Sequence, residues 1–154
     1  MSFFDLFCCG PITGLIDSFV KNVFCDPVTP ERGAILRCDL LYGRADHTGI
    51  YLGDDAIAEL DGDGNIRVVT PDEFLDGSPL RTGVYIYVAC DQEYETVLAD
   101  EETAERAEVL VGETTDYHAL INNCHQFCSG CITGDFDNGD AALFLLESTI
   151  SEAL

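Results

Sequence analysis

Short strand-like runs separated by turn residues fill the middle of the chain, and this pattern constrains the fold more than any other feature. In GVYIYVACD (83–91), the aliphatic residues at positions 84, 86 and 88 alternate with tyrosine and alanine at positions 85, 87 and 89, which is typical of a strand. The segments GAILRCDLLYG (33–43) and HTGIYLGDD (47–55) are also predicted to contain strands. The segment AIAELDGDGNIRVVT (56–70) predicts a hairpin, because its centre is rich in aspartate and glycine. A sheet is therefore expected in this part of the protein.

Helical patterns lie outside this central region. PITGLIDSFVKNVF (11–24) has apolar residues at helical spacing and predicts an amphipathic helix within an N-terminal region of residues 1–26. DEETAERAEVLVGE (100–113) predicts a helix with Asp100 as its N-cap. A further helix is expected to begin near Cys124, and DAALFLLESTISEAL (140–154) predicts a C-terminal one. Helices at both ends and strands in the middle favour an α+β fold over a doubly wound sheet.

The length and composition narrow the function classes. With 154 residues, 47 % of them hydrophobic, the chain is expected to form a single domain over residues 1–154. It has 29 Asp and Glu residues against 7 Lys and Arg, and a net charge of −22 repels the phosphates of nucleic acids, so nucleic-acid binding is not expected.

Cellular location is predicted from what the sequence lacks. The first residues show no basic segment and cleavage site of a secretory signal, and no apolar run reaches the ~18 residues that suggest a membrane span. A cytoplasmic protein with mostly free thiols is therefore expected. Contact of residues 1–24 with a membrane surface is an alternative that is not predicted, because interfacial helices usually carry basic faces and this segment has one lysine, Lys21.

The segment INNCHQFCSGC (121–131) holds three cysteines and a histidine, and three interpretations are open. Zinc needs about four ligands, often in close pairs, and Cys124, His125, Cys128 and Cys131 are candidates without that paired spacing. On a helix the three cysteines share one face and can simply pack as small apolar groups. In the third interpretation Cys124 is a nucleophile, because the positive end of a helix dipole favours a thiolate.

A thiol nucleophile needs a base, and His47 at the start of a predicted strand is the candidate. Glu59 lies twelve residues later, on the second arm of a predicted hairpin, and two antiparallel arms can bring position 59 beside position 47 to orient the imidazole. Tyr42 is a candidate hydrogen-bond donor to the reacting oxygen, although its ring is expected to pack in the core. His125 directly follows Cys124, so on a helix its side chain is expected to point elsewhere, to the surface or the edge of the core.

Two of these segments resemble a known family. HTGIYLGDD (47–55), after GAILRCDLLYG, resembles the histidine motif of lecithin:retinol acyltransferase-like proteins, and YHALINNCHQFCSGCITG (117–134) resembles their cysteine motif. Those proteins are circularly permuted members of the NlpC-type papain-like superfamily. The resemblance covers residues 33–134. It implies an α+β papain-like core with a small antiparallel sheet packed on helices, with Cys124 as nucleophile and His47 as base.

The sequence departs from the family pattern at two places within these motifs. The family often has a second histidine where this chain has Glu59, and it commonly reads Asn-Cys-Glu-His-Phe where residues 123–127 read Asn-Cys-His-Gln-Phe. A carboxylate at position 59 can still accept the imidazole N–H and stabilise the imidazolium.

The expected function is cysteine-dependent acyl transfer. The protein is expected to act as a hydrolase or acyltransferase through an acyl-thioester, on a small-molecule, lipid or peptide acyl substrate, with no cofactor and no metal. Two alternatives stay open: a binding module of the same family that has lost turnover, and a structural zinc-binding domain.

Overall fold

A computed structural model describes residues 7–10, 29–91, 96–116 and 123–154. The predicted helix of residues 11–24 lies outside these ranges, as does most of the region 1–26. Tyr117 and His118 of the cysteine motif also lie outside them.

The described strands form one antiparallel sheet. The strands are β1 (Phe7–Gly10), β2 (Ile35–Leu40), β3 (Ala45–Gly53), β4 (Ala56–Leu60), β5 (Ile66–Val69), β6 (Ile86–Asp91) and β7 (Thr96–Val97). Their order in the sheet is β1-β6-β2-β3-β4-β5, and β7 pairs with the end of β6.

The helices of the described residues are α1 (Pro71–Asp76), α2 (Glu101–Leu110), α3 (Cys124–Thr133) and α4 (Leu143–Ala153). Three of them begin at a side-chain cap. Thr70 caps α1, and Asp100 caps α2 by accepting a hydrogen bond from the Thr103 N–H. Asn123 caps α3, which fixes the residue after it at the first helical position. The C-terminal helix lies within the predicted range 140–154.

The sheet is covered on both faces, because successive residues of a strand point to opposite sides. On one side Ile35 and Ile50 pack with Phe127 and Cys131 of α3 and with residues of α2 and α4. On the other side the neighbouring residues, such as Leu36, pack with α1 through its buried phenylalanine and leucine. The α+β class is therefore confirmed, with an antiparallel sheet packed on helices.

The hairpin expected within 56–70 is formed by β4 and β5, in a register that pairs Glu59 with Arg67. The strand within 83–91 starts later than its alternating pattern, at Ile86. The Gly83 N–H instead donates to the Asp39 carbonyl, which ties this segment to the end of β2.

Candidate active site

The helix α3 begins at Cys124 because of the residue that precedes it. The Asn123 side chain accepts hydrogen bonds from the His125 N–H (3.0 Å) and the Gln126 N–H (3.2 Å). Gln126 completes a capping box by accepting from the Asn123 N–H, and it also donates to the Asn138 carbonyl. Asn123 donates in turn to the Ala141 carbonyl. The cap and the following loop therefore fix the start of the helix, and with it the position of the Cys124 thiol.

Cys124 differs from the other described thiols in its electrostatic surroundings. It is 3 % exposed, and burial alone opposes its ionisation. Hydrogen bonds with the imidazoles of His125 and His47 outweigh burial and hold the pKa of Cys124 well below its ordinary value.

The other cysteines whose side chains are described either have protonated thiols or, in the case of Cys90, form a disulfide. Burial raises the pKa of Cys38 and of Cys131 to about 12, and raises the pKa of Cys128 well above its ordinary value. Cys90 is disulfide-bonded. Cys124 is therefore the thiolate candidate among the cysteines whose side chains the structure describes.

The sheet brings His47 and Glu59 together. Ile50 of β3 pairs with Ala58 of β4, so Glu59 stands opposite Gly49 and on the same side of the sheet as His47. The Nε2 atom of His47 lies 2.8 Å from the Oε2 atom of Glu59. This contact leaves Nδ1 as the ring nitrogen that can exchange a proton with Cys124.

The contacts of His47 also set its charge. Burial lowers the pKa of His47, but hydrogen bonds with Cys124 and Glu59 outweigh it and raise the pKa above its ordinary value. The interaction between Cys124 and His47 thus lowers the pKa of the thiol and raises the pKa of the imidazole. This combination favours a thiolate–imidazolium pair.

Glu59 is fully buried and is held by two arginines in addition to His47. Arg67 donates to its Oε1 atom from Nε (3.0 Å) and from an Nη atom (2.9 Å), and an Nη atom of Arg81 lies 2.9 Å from Oε2. Burial alone would raise the pKa of Glu59, but the hydrogen bonds from His47 and Arg81 lower it to about 2. The carboxylate is therefore ionised across the ordinary pH range.

Aromatic packing fixes the imidazole from another side. The ring of Phe74 lies 5.0 Å from the His47 ring, centroid to centroid. This approach depends on Gly49, because a Cβ atom there would come within 2.8 Å of the Phe74 ring and of the Ala58 carbonyl oxygen. The glycine of the motif His47-Thr48-Gly49 therefore makes room for the ring that packs on the histidine.

His125 does not lie where the sequence predicted. It is 8 % exposed, its Nδ1 atom is 4.0 Å from the Cys124 sulfur, and the same atom is 3.0 Å from the Thr48 hydroxyl. The expectation that the side chain points away from Cys124 is wrong. A residue at the first turn of a helix has fewer helical neighbours than one in the interior, so consecutive side chains can both turn to the same strand.

Tyr42 also departs from the prediction. Its ring is 91 % exposed, so the expectation that it packs in the core is wrong. Leu41 and Tyr42 both have positive φ angles, and this tight turn between β2 and β3 directs the ring into solvent. A ring so exposed makes little contact with a thiol that is 3 % exposed, and the structure does not bring Tyr42 to the group around Cys124.

Sequence reasoning missed the residues that support Glu59 and His125. The pairing with Arg67 follows from the length of the turn, because a loop of residues 61–65 places Arg67 opposite Glu59. Thr48 and Arg81 gave no such local signal. Arg81 lies in a loop, yet its side chain is 4 % exposed, and burial of one of only 7 basic residues is a tertiary feature.

The described residues do not favour a metal site. No group of three or more histidine, cysteine, aspartate or glutamate residues within the described ranges is arranged to hold a metal ion. The zinc alternative for the cysteines of α3 therefore lacks support in this part of the chain.

None of the helices within the described residues has the length and apolar character that crossing a membrane requires.

A cysteine at the start of a helix and a strand histidine that a carboxylate holds are an arrangement typical of proteins that have a cysteine–histidine pair. The comparison with protein families gives a narrower assignment. The family model described as lecithin retinol acyltransferase matches residues 28–137. The chain belongs to that family. A search of curated proteins gives no match.

Proposed function

We propose that the protein is an enzyme of acyl transfer in which Cys124 is the nucleophile, His47 is the general base and Glu59 orients the imidazole. The observations that carry this proposal are the interaction with His47 that helps to lower the pKa of Cys124, and the buried carboxylate that lies 2.8 Å from the Nε2 atom of His47. A nucleophile, a base and a group that orients the base are the three parts that covalent catalysis by a side chain needs.

The first half of the reaction forms a thioester. His47 takes the proton of the Cys124 thiol at Nδ1, and the sulfur attacks the carbonyl carbon of an ester or amide. When the tetrahedral intermediate collapses, the bond from carbon to the leaving oxygen or nitrogen breaks. The leaving alcohol or amine receives the proton from His47. The acyl group is then bound to the Cys124 sulfur.

The second half releases the acyl group. Water or another acceptor attacks the thioester carbonyl and loses a proton to His47, the carbon–sulfur bond breaks, and the proton returns to the system of thiol and imidazole. Hydrolysis and acyl transfer differ only in the acceptor. Lipid and small-molecule acyl donors are the substrates that family membership favours.

In both halves of the reaction a negative charge develops on the carbonyl oxygen, and it needs a hydrogen-bond donor. Asn123 caps the N–H groups of His125 and Gln126, so the Cys124 N–H lies outside this cap at the positive end of the helix. We assign the Cys124 N–H as the oxyanion donor, since it is carried by the same residue as the attacking sulfur.

The test is to trap the acyl group. The full chain is mixed with a p-nitrophenyl ester of a short fatty acid, and the intact mass is measured after rapid acid quenching. We expect one acyl group, located on Cys124, that neutral hydroxylamine removes as it does a thioester.

Two variants make this test decisive. Cys124→Ala is expected to abolish the adduct, whereas the matched variant Cys131→Ala, about two turns further along the same face of the helix, keeps it. An adduct that persists in Cys124→Ala contradicts the proposal. Absence of any adduct and of ester turnover in the unaltered protein favours the binding module.

A further inference from the structure

A second imidazole lies at the Cys124 sulfur. The Nδ1 atom of His125 is 4.0 Å from Sγ, which is the outer limit of a hydrogen bond to sulfur. Both side chains are buried, at 8 % and 3 % exposed, so water competes little for this contact. The family commonly has a glutamate directly after the cysteine, so His125 is a feature of this chain.

The direction of the hydrogen bonds around His125 follows from Thr48. Thr48 is fully buried, its hydroxyl oxygen lies 3.0 Å from His125 Nδ1, and the hydroxyl also interacts with Cys128, where it lowers the pKa of the thiol against the larger effect of burial. A hydroxyl has one proton and two lone pairs. When Thr48 donates that proton to the Cys128 sulfur, its oxygen accepts from Nδ1, and Nδ1 then carries the hydrogen that also faces Cys124.

We propose that His125 is a further catalytic residue, which stabilises the Cys124 thiolate by sharing its Nδ1–H between the sulfur and the Thr48 oxygen, and that Thr48 holds the ring in this tautomer. This inference rests on the proposed function, since it concerns the same nucleophile. No covalent bond forms or breaks at His125, and its Nδ1 proton stays in place while the thiol proton moves to His47.

The charges around His125 suit a neutral donor. His47 carries the transferred proton on the other side of the sulfur, and a second positive imidazolium beside it would be repelled. Glu147 of α4 is buried and close enough to His125 to interact electrostatically, but burial raises the pKa of Glu147. Arg37 of β2 and Asp46 of β3 also act on Glu147, with opposite signs. A neutral ring that donates one hydrogen avoids the cost of a second buried cation.

The test compares rates of Cys124 alkylation by iodoacetamide between pH 4 and pH 10 in the full chain. In His125→Ala we expect the midpoint of the profile to rise by about one pH unit, corresponding to about 1.4 kcal/mol of lost thiolate stabilisation. In His125→Asn the side-chain amide places an N–H close to the position of Nδ1, so the midpoint is expected to return most of the way to that of the unaltered protein. An unchanged midpoint in His125→Ala overturns the inference.

Failure of this inference is distinguishable from failure of the proposed function. If the unaltered protein has a midpoint near the ~8.5 of a free cysteine, the proposed function itself fails. If the unaltered midpoint is low and both His125 variants share it, only the role of His125 fails.

A measurement on the unaltered protein covers the case in which a variant does not fold. The chain has three histidines, so their ring nitrogens can be resolved by NMR of protein labelled with ¹⁵N histidine. We expect His125 to carry its hydrogen on Nδ1. A neutral His125 with its hydrogen on Nε2 overturns the inference, because Nδ1 would then have nothing to donate to the sulfur.

Discussion

The Nε2 atom of His47 lies 2.8 Å from the Oε2 atom of Glu59, in the interior of the protein. The family often has a second histidine at the position of Glu59, and a neutral imidazole could only share a hydrogen there. A carboxylate does more, because it also stabilises the positive charge that His47 acquires with the thiol proton. The hydrogen bonds from His47 and Arg81 keep it ionised for this task.

The four free thiols of the described residues are predicted to react at very different rates. At pH 7 iodoacetamide is expected to alkylate Cys124 at least about a hundred-fold faster than Cys38 or Cys131, because only thiolates react and the pKa of each of those two is raised to about 12. Digestion followed by tandem mass spectrometry locates the label, since Cys124 and Cys131 share one tryptic peptide. Comparable rates at all four positions would count against an activated Cys124.

The two arginines on Glu59 are predicted to differ in their effect on stability. The Arg81 side chain is 4 % exposed and also donates to the Phe74 carbonyl at 2.7 Å, so Arg81→Met should lower the free energy of unfolding by about 3 kcal/mol or more. Arg67 is 43 % exposed, and Arg67→Met should cost about 1 kcal/mol or less. The chain has no tryptophan, so urea unfolding is followed by far-UV circular dichroism. Equal losses would contradict the assignment of Arg81 as the buried partner.

Glu59 is predicted to make folding sensitive to acid. The pKa of Glu59 in the folded protein is about 2, below its ordinary 4.5, so the folded state binds fewer protons than the unfolded chain. The stability from this group is fully present above about pH 4.5 and is lost as the pH falls towards 2.

The variant Glu59→Gln isolates this effect. Between pH 4.5 and pH 2, the free energy of unfolding should fall less steeply in the variant, by up to about 1.4 kcal/mol per pH unit. Other carboxylates with lowered pKa values, such as that of Glu108, are present in both proteins and cancel in the comparison. Parallel slopes would show that Glu59 does not have its low pKa.

Gly49 is predicted to be required for the position of His47. In Gly49→Ala the new Cβ would displace Phe74 or the Ala58 carbonyl, so we expect a loss of about 1–3 kcal/mol in stability and slower alkylation of Cys124. Gly62→Ala is the matched control, because a Cβ atom there meets nothing within 4 Å, and it should change stability by less than about 0.5 kcal/mol. A Gly49→Ala protein with unaltered stability and alkylation would mean that Phe74 does not need this space.

Sequence reasoning reached those parts of the site that short-range rules govern. Antiparallel pairing of two strand arms was enough to place Glu59 beside His47, and the helix expected to begin near Cys124 is confirmed. The α+β class followed from the order of helical and strand-like segments.

The rest depends on packing between distant segments. Arg81 reaches Glu59 from a loop, and no periodic pattern predicts where a loop side chain will be buried. His125 was misplaced because helix geometry separates neighbouring side chains, whereas here Thr48 and Cys124 attract its ring. The turn at Leu41 and Tyr42 has a backbone conformation that is uncommon for such residues, and residue type alone would not predict it.

The contrast between one ionised thiol and several protonated ones in the described core has a consequence for damage by peroxide. Peroxide attacks thiolates, so the first oxidised group among these free cysteines should be a sulfenic acid on Cys124. Cys38, Cys128 and Cys131 would stay reduced inside the fold. Mild oxidation would therefore convert the Cys124 thiol to a sulfenic acid while the protein remains folded. Reduction by a small-molecule thiol would then restore the Cys124 thiol.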